Sequence, residues 1–540
     1  MKEVNPETFT TDISGMNKRK AFAILKDFVL GDECYQGKIL TVCGLKRTGK
    51  TTLLKQLLCD IVAYTASCAF LEMQDSDTMK TLERKITEEQ EKGKAVIFIN
   101  EITKVSDFIN NSSSLADCFA KAGVRIIISG MDSLSIVFAE DYELYDRVRK
   151  VNTTYISFAE YHTLFPSEDI NDYIRYGGLF YKNEAEKSTI GYENILSYLH
   201  DAVTTNIANS LKNNADIDKR DSAFKNINET ELAELKSITE KVVGLYGGSP
   251  DGEIITALTD KKDNAEQFAR MIGSGKNADC YITPQMIKEL EKWLKEIGFL
   301  AFIEKRTFTN VSGAWKKLSP TYEYHIVQPA VRYSFLKKAA ESEIERYQHL
   351  DKQRQKEMAE TLNRNMLDEI VGQTVIFDVM SSLPDERYIV CKPEFMHENR
   401  LINGYDMLIY DRQENSYRYF LIRRKSDDYA DNIEEITSVA ESHFGECKSV
   451  CMLYVEKSPN GFAGRECYNI SNFLIAVDKY GDMDKVMISL RNREVIKAIS
   501  GCLITSPTTF QDTVPVLFLS ATRRFQTDRI YIRPVTFHRF

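Results

Sequence analysis

The sequence has no long apolar run and no excess of positive charge. No stretch approaches the roughly eighteen apolar residues that a helix needs to cross a bilayer. The polar start "MKEVNPETFTTD" carries no signal-peptide core, so the expectation is a cytoplasmic protein with no membrane partner. A formal net charge of −9 disfavours a whole-chain role as a nonspecific polyanion binder. Disulfide scaffolds and zinc modules are also set aside. The eleven cysteines are odd in number, scattered and mostly inside apolar runs, as Cys43, Cys59 and Cys68 are, which suits buried free thiols. The closest pair, Cys447 and Cys451, has no second pair at zinc spacing, and none of the seven histidines sits in an HExxH array. Repeats, heptads, low-complexity tracts and an Asn-Lys-x-Asp guanine motif are missing too.

What remains is an ordinary globular composition, 43% hydrophobic and 28% charged, in 540 residues. That length accommodates about two to four domains. One local exception to the acidic balance is residues 281–340, with ten Lys or Arg against five Glu or Asp.

The most informative stretch is "ILTVCGLKRTGKTTLLKQLL" at 39–58. An apolar β-rich run ends at Gly44, four residues intervene (Leu45, Lys46, Arg47 and Thr48), and Gly49-Lys50-Thr51 opens a helical segment. This is the phosphate-binding loop GxxxxGK(S/T) in its strand-before, helix-after setting. Glycine at both ends allows backbone N–H groups to turn inward around a phosphate, and the helix adds its positive N-terminal end. Lys50 is placed for the β- and γ-phosphates, Thr51 for Mg²⁺ and Thr52 for the α-phosphate, so ATP with Mg²⁺ is the expected ligand, ahead of GTP.

Short apolar strands alternating with helices follow: "CAFLE", "VIFIN" and "RIIIS", with helices expected over Met79–Lys92 and 114–121, and another over 17–30 leading into the loop. That alternation predicts a parallel sheet covered on both faces, with ligands at the carboxyl ends of its strands. At those ends stand Asn100 and Glu101, where a Walker B pair holds Mg²⁺ and orients the attacking water. Asparagine offers an oxygen but no charge, so Asn100 predicts weaker Mg²⁺ binding and slow turnover, with Glu101 as the base. Ser129, ending "RIIIS", reads as a γ-phosphate sensor or an ordinary strand-end serine. Arg147 and Arg149 in "DRVRKV" read as arginine-finger candidates, Arg147 first, or as solvated surface residues.

The order of phosphate loop, acidic strand end, "ISG" strand, "DRVRKVNTTYISFAEYHTLF" and "DYIRYGGLF" resembles a prokaryotic family of AAA-type P-loop ATPases. Ser157, Phe158 and Glu160 match its Pro-Leu-Ser-Phe-x-Glu-Phe stretch; Gly177 and Gly178 match its Gly-Gly-Phe-Pro turn, with Phe180 at the proline. The resemblance implies an α/β architecture: a P-loop NTPase parallel sheet (1–185), a helical lid and linker (186–234), a winged-helix domain (235–345), and a C-terminal α/β nuclease-like domain (346–540). "ITPQMIKELEKWLKEIGFLAFIEKRTF" then resembles a recognition helix and wing, although Ile287, Leu290, Leu294 and Ile297 also read as a plain core stripe. In the C-terminal part Asp406, Lys425 and Glu369 fall where nuclease metal ligands would, but Arg423 replaces the expected Glu and would repel a metal. The run "AAESEIERYQHLDKQRQKEMAETLNR" reads as one connecting helix.

The expectation is therefore an ATP-binding, slowly hydrolysing switch whose C-terminal domains engage a partner, with Arg147 acting within or between subunits of an oligomer. A protein partner is favoured. DNA stays open through the winged helix or C-terminal domain, either as the ligand of an ATP-gated DNA-processing protein or not at all in a non-hydrolysing interaction module.

Overall fold

Along each strand of the first half of the chain, neighbouring apolar side chains go to opposite faces of one sheet, and both faces are covered. The computed structural model describes residues 1–3, 9, 13, 15–31, 35, 37–62, 67–190, 192–214, 222–224, 239, 284–346, 351–398, 400–404, 406–424, 433–455 and 465–492. Strands β1 (Lys2–Glu3), β2 (Ile39–Cys43), β3 (Cys68–Glu72), β4 (Val96–Asn100), β5 (Arg125–Ser129) and β6 (Val148–Asn152) lie in the order β1-β3-β4-β5-β2-β6. All pairs are parallel except β1 with β3. Ile39, Ile97, Ile99, Ile126 and Ile128 pack on one face. Leu40, Val42, Phe98 and Ile127 pack on the other, against Leu25 and Phe28 of helix Ala21–Leu30 and Leu53, Leu54, Leu57 and Ile61 of helix Lys50–Val62. Each such side chain contributes about 2 kcal/mol when fully buried. Because β5 lies between β2 and β4, the carboxyl ends of these three strands meet. The helix expected at 114–121 is a π-type helical turn, Leu115–Ala120.

The chain continues through helices Tyr192–Leu199 and Thr205–Lys212 to helix Pro284–Glu296. There Leu290, Leu294 and Ile297 are buried, and the Trp293 ring packs on Phe138 (5.8 Å) and Phe224 (4.8 Å), so this stripe is core. Strands β7 (Leu300–Val311), β8 (Ala314–Lys317) and β9 (Thr321–Ile326) follow. The β7–β8 hairpin turns at Ser312-Gly313, both with positive φ, as a two-residue turn matched to strand twist requires.

A second sheet takes in that hairpin. Strand β7 pairs in parallel with β10 (Tyr388–His397) over seven residue pairs, Cys391↔Glu304 to His397↔Asn310. With β11 (Arg400–Leu401), β12 (Asp406–Asp411), β13 (Ser416–Arg423), β14 (Glu446–Tyr454) and β15 (Glu466–Asn469), the path is β15-β14-β13-β12-β10-β7-β8, with β9 on β7 and β11 on β10. Helix Lys352–Ser382 covers one face through Ile370, Val371, Val375 and Val379, and helix Ile433–Phe444 the other through Ile436, Ala440 and Phe444. The charged run expected as one connecting helix is instead divided. One helix ends at Arg346 and another begins at Lys352, where the Asp351 carboxylate accepts the Arg354 N–H, a local N-cap that starts a new helix. Ile156, Phe158, Tyr161 and Tyr173 share a core with Ile370 and Val375, so the segment before the expected boundary near 185 packs with the C-terminal layer. The boundary near 235, most of the stretch 213–230, Lys425 and the tail 500–540 lie outside the described residues.

Candidate functional site

The site begins with the backbone of residues 44–49. Gly44 has φ +146°, and a Cβ there would lie 2.3 Å from the Thr153 hydroxyl, so the loop's first position admits only glycine. Gly49 (φ +84°) lies against the Phe180 ring. Two threonines after β6 lock the loop from beside it: Leu45 N–H donates to Thr154 Oγ1 (3.1 Å), and the Thr48 and Thr153 hydroxyls meet at 2.9 Å. Lys50, at the start of its helix, folds over the loop and donates to the carbonyls of Gly44 (2.7 Å) and Leu45 (2.8 Å). Burial lowers its pKa to about 8, against the opposing pull of Glu101 and Asp132. Thr51 and Thr52 are half-buried on the first helical turn, and Lys46 reaches outward to Asp201 (3.1 Å).

Strands β4 and β5 deliver the polar residues. Asn100 is buried, and its Oδ1 accepts the Ser129 hydroxyl at 2.8 Å. Glu101 takes the left-handed region at φ +58°, a costly conformation for a residue with a side chain. This ends the strand abruptly. Its Oε2 is buried with no hydrogen-bond partner, and burial raises its pKa, offset in part by Lys50, Lys104 and the Met131 N–H. Asp132 follows on the turn after β5; burial, with Glu101 adding to it, moves its pKa up to about 7.

Residues 36–162 match the profile of the AAA domain family. This stretch is similar to an AAA domain and carries the P-loop. Nucleotide binding is the function that AAA domains carry, and the carboxyl ends of β2, β4 and β5 are where this stretch gathers its candidate residues. No curated protein matches the sequence. Among solved structures, the S. cerevisiae Hsp104:casein complex in its extended conformation is similar at 12% identity and TM-score 0.24, with 58% of this chain and 55% of that chain covered. The S. cerevisiae Hsp104-ADP complex is similar at 11% identity and TM-score 0.24, over 70% of this chain and 46% of that chain. C. elegans PCH-2 follows at 14% identity and TM-score 0.19, over 51% and 65%. The chain thus spans about half the length of the two Hsp104 structures, and likenesses this low define neither its activity nor its partners. No helix among the described residues is long and apolar enough to cross a membrane.

The first sheet brings Gly44 to Thr52, Asn100, Glu101 and Ser129 together, and does not bring Arg147 to them. β6 runs parallel to β2 with Val148 opposite Ile39, so Arg147 stands at the amino ends of the strands, far from the loop that follows Cys43. There it pairs with Asp117 (3.2 Å) and donates to the Glu143 carbonyl (3.0 Å). A finger role within the same subunit is therefore corrected; only a second subunit's site remains open to it. Strand direction decides this.

Two more groups brace the P-loop: Arg19, which sequence reasoning passed over, and Phe180, which it noted only as a departure from the family's turn. Arg19, 5% exposed, donates to the carbonyls of Thr48, Thr153 and Tyr155, and its guanidinium grips Glu160 through two bonds of 2.7 and 3.2 Å. Glu160 also accepts the Lys20 N–H (2.9 Å). The second is Phe180, at the place of the family's proline. Its N–H donates to the Arg47 carbonyl at 2.7 Å, a bond proline cannot make. An arginine before a helix gave no signal of its own.

In the C-terminal sheet Asp406 is fully buried. Arg423 (2.7 Å), the Tyr419 hydroxyl (2.6 Å) and Asn403 (3.2 Å) occupy its carboxylate. The Arg423 guanidinium therefore sits where a cation would have to bind. Glu369 is engaged by Gln373 (2.9 Å). Among the described residues no group of three or more His, Cys, Asp or Glu is arranged to hold a metal, and the described cysteines are free thiols.

Proposed function

We propose that the protein is an ATP-binding, slowly hydrolysing switch, and that nucleotide in the P-loop controls how its C-terminal layers engage a partner. The observation that carries this reading is a chain of buried contacts from the loop to the second sheet. Arg19 holds the Thr48 carbonyl of the P-loop and Glu160 of helix Phe158–Leu164. The first N–H of that helix donates to Asp378 of helix Lys352–Ser382 (2.7 Å), and the Tyr155 hydroxyl donates to the same carboxylate. At the surface, beside this buried chain, Lys20 pairs with Asp478 of the helix that follows β15. A change in the loop backbone is thereby felt at the C-terminal layer.

In hydrolysis Lys50 would exchange its two carbonyl partners for phosphate oxygens. Glu101, with one oxygen free of protein partners, would align and deprotonate the attacking water. The oxygen donors at hand, the Thr51 hydroxyl, the Asn100 amide and the Glu101 carboxylate, suit Mg²⁺, which usually keeps water and phosphate as its other ligands. Mg²⁺ when bound neutralises charge on the phosphates. Asn100 contributes an oxygen and no charge, which makes slow turnover the expectation. The nuclease-like reading of the C-terminal layer rests on its helix, three antiparallel strands, helix and parallel strand. Arg423 on Asp406 favours a recognition scaffold over metal-dependent cleavage.

DNA is the second reading, favoured by exposed Lys316 and Lys317 on the β7–β8 hairpin that we take as the wing. Phosphate release from ATP with Mg²⁺, by wild type beside Lys50→Ala and Glu101→Gln and with or without duplex DNA, tests both. Turnover lost in both variants supports the switch, and stimulation by DNA promotes the second reading. Nucleotide bound without turnover in any protein would leave a static interaction module.

A further inference from the structure

Asn100 puts no charge at the end of β4, but a carboxylate stands on the turn that follows the next strand. Asp132 lies three residues beyond Ser129, on the turn from β5 into helix Ser133–Asp141. Its N–H donates to Thr103 Oγ1 (3.3 Å), in the turn that Glu101 begins, and its carboxylate accepts from Asn209 Nδ2 (3.3 Å). The adjoining Ser133 hydroxyl donates to the Gly44 carbonyl (2.6 Å) and accepts the Gly44 N–H (3.1 Å). At Gly130 a Cβ would come within 2.5 Å of the Thr103 side chain, so the turn is wedged between the P-loop and the Glu101 turn. The Met131 N–H bonds to the Glu101 carboxylate, whose other oxygen is buried and unpartnered. Lys50 feels the fields of both carboxylates, and Asp132 feels that of Glu101.

We propose that Asp132 is a metal-facing carboxylate of the nucleotide site, supplying from the end of β5 the negative charge that Asn100 does not supply from the end of β4. The inference rests on the nucleotide-binding reading above. It predicts a site whose second negative charge is displaced by one strand, which leaves the end of β4 itself uncharged. Lys50 then faces two carboxylates, Glu101 and Asp132, as it would if position 100 carried the second.

The test uses the full chain loaded with ADP and titrated with Mn²⁺, free Mn²⁺ being read by electron paramagnetic resonance, so that turnover plays no part. Asp132→Asn is expected to weaken Mn²⁺ binding about 10- to 100-fold, with metal-free ADP binding kept within about twofold, since phosphate contacts from the loop and Lys50 are untouched. Adding Asn100→Asp to that variant is expected to recover most of the loss. Should Asp132→Asn fail to fold, Asp132→Ser carries the same prediction. Mn²⁺ affinity equal to wild type in the Asp132 variant, with ADP still bound, would overturn the inference and leave the nucleotide reading standing. A loss that Asn100→Asp does not recover would also overturn it, because Asp132 would then act through the shape of the turn. Failure of wild type to bind ADP would overturn both.

Discussion

Replacing Arg19 by methionine removes a guanidinium from a place where it is 5% exposed and leaves Glu160, 6% exposed, as a buried carboxylate with the Lys20 N–H among its few remaining donors. Breaking a buried pair from one side costs about 3–5 kcal/mol, mainly because the surviving charge is uncompensated. The carbonyls of Thr48, Thr153 and Tyr155 lose a donor as well, so the upper part of that range is expected. Glu160→Leu should cost a similar amount. Arg19→Met with Glu160→Leu, which removes both charges, should come back to within about 2 kcal/mol of wild type. Unfolding of several packed layers is not two-state. The assay is therefore hydrogen exchange of β2 and helix Lys50–Val62 at graded urea, which reads the opening free energy of this element alone. Burial pushes the Glu160 pKa up, but Arg19 outweighs it and the net shift is downward. A depressed folded-state pKa means that the stabilisation is present above the ordinary glutamate range, near pH 4.3, and is lost as pH falls through the folded value. The difference between wild type and Arg19→Met should be level from about pH 6 to 8 and shrink in acid. A single-variant cost under about 1 kcal/mol at pH 7, or a double variant as unstable as the sum of the singles, would refute the reasoning.

Asn100→Asp should raise ATP turnover on the order of tenfold or less, worth about 1.4 kcal/mol; an unchanged rate at saturating Mg²⁺ would count against a charge deficit at the end of β4. With nucleotide absent, Lys50 loses its proton near pH 8, whereas a bound phosphate holds that proton. Nucleotide affinity should therefore fall between about pH 7 and 9, with proton uptake visible by calorimetry in two buffers of different ionisation heat; pH-independent binding without uptake would refute it. Arg423→Met should destabilise the C-terminal sheet by about 3–5 kcal/mol, since Asp406 is wholly buried. It should create no nuclease, and nicking of supercoiled plasmid by this variant would overturn the scaffold reading.

The P-loop and the strands around it were legible because each signal is local: a fixed spacing of glycines, and apolar runs too short for helices and covered on both faces. Asn100, Glu101 and Ser129 were legible as strand ends. Arg147 was misplaced because its location depends on β6 lying parallel beside β2, which no local pattern states. Arg19 and Asp132 were invisible for a related reason. Each works through partners 29 or more residues away, Thr48 and Glu160 for one, Gly44 (through Ser133), Asn209 and Glu101 for the other. Similarly, "YEYHIVQPAVRYSFL" gives a strand and a helix but says nothing of the parallel pairing between β7 and β10 that joins the hairpin to the sheet beyond it. The break at Asp351 was readable in principle, since an aspartate can stop one helix and start the next.

That parallel pairing makes the second sheet a lever. Five strand spacings separate β7 from β15 along the hydrogen-bonded path, about 24 Å at the usual interstrand distance. A tilt of about ten degrees imposed at β7 would therefore carry the far edge through about 4 Å, roughly one strand spacing. A rotation that displaces little at β7 is therefore multiplied by distance before it reaches β15.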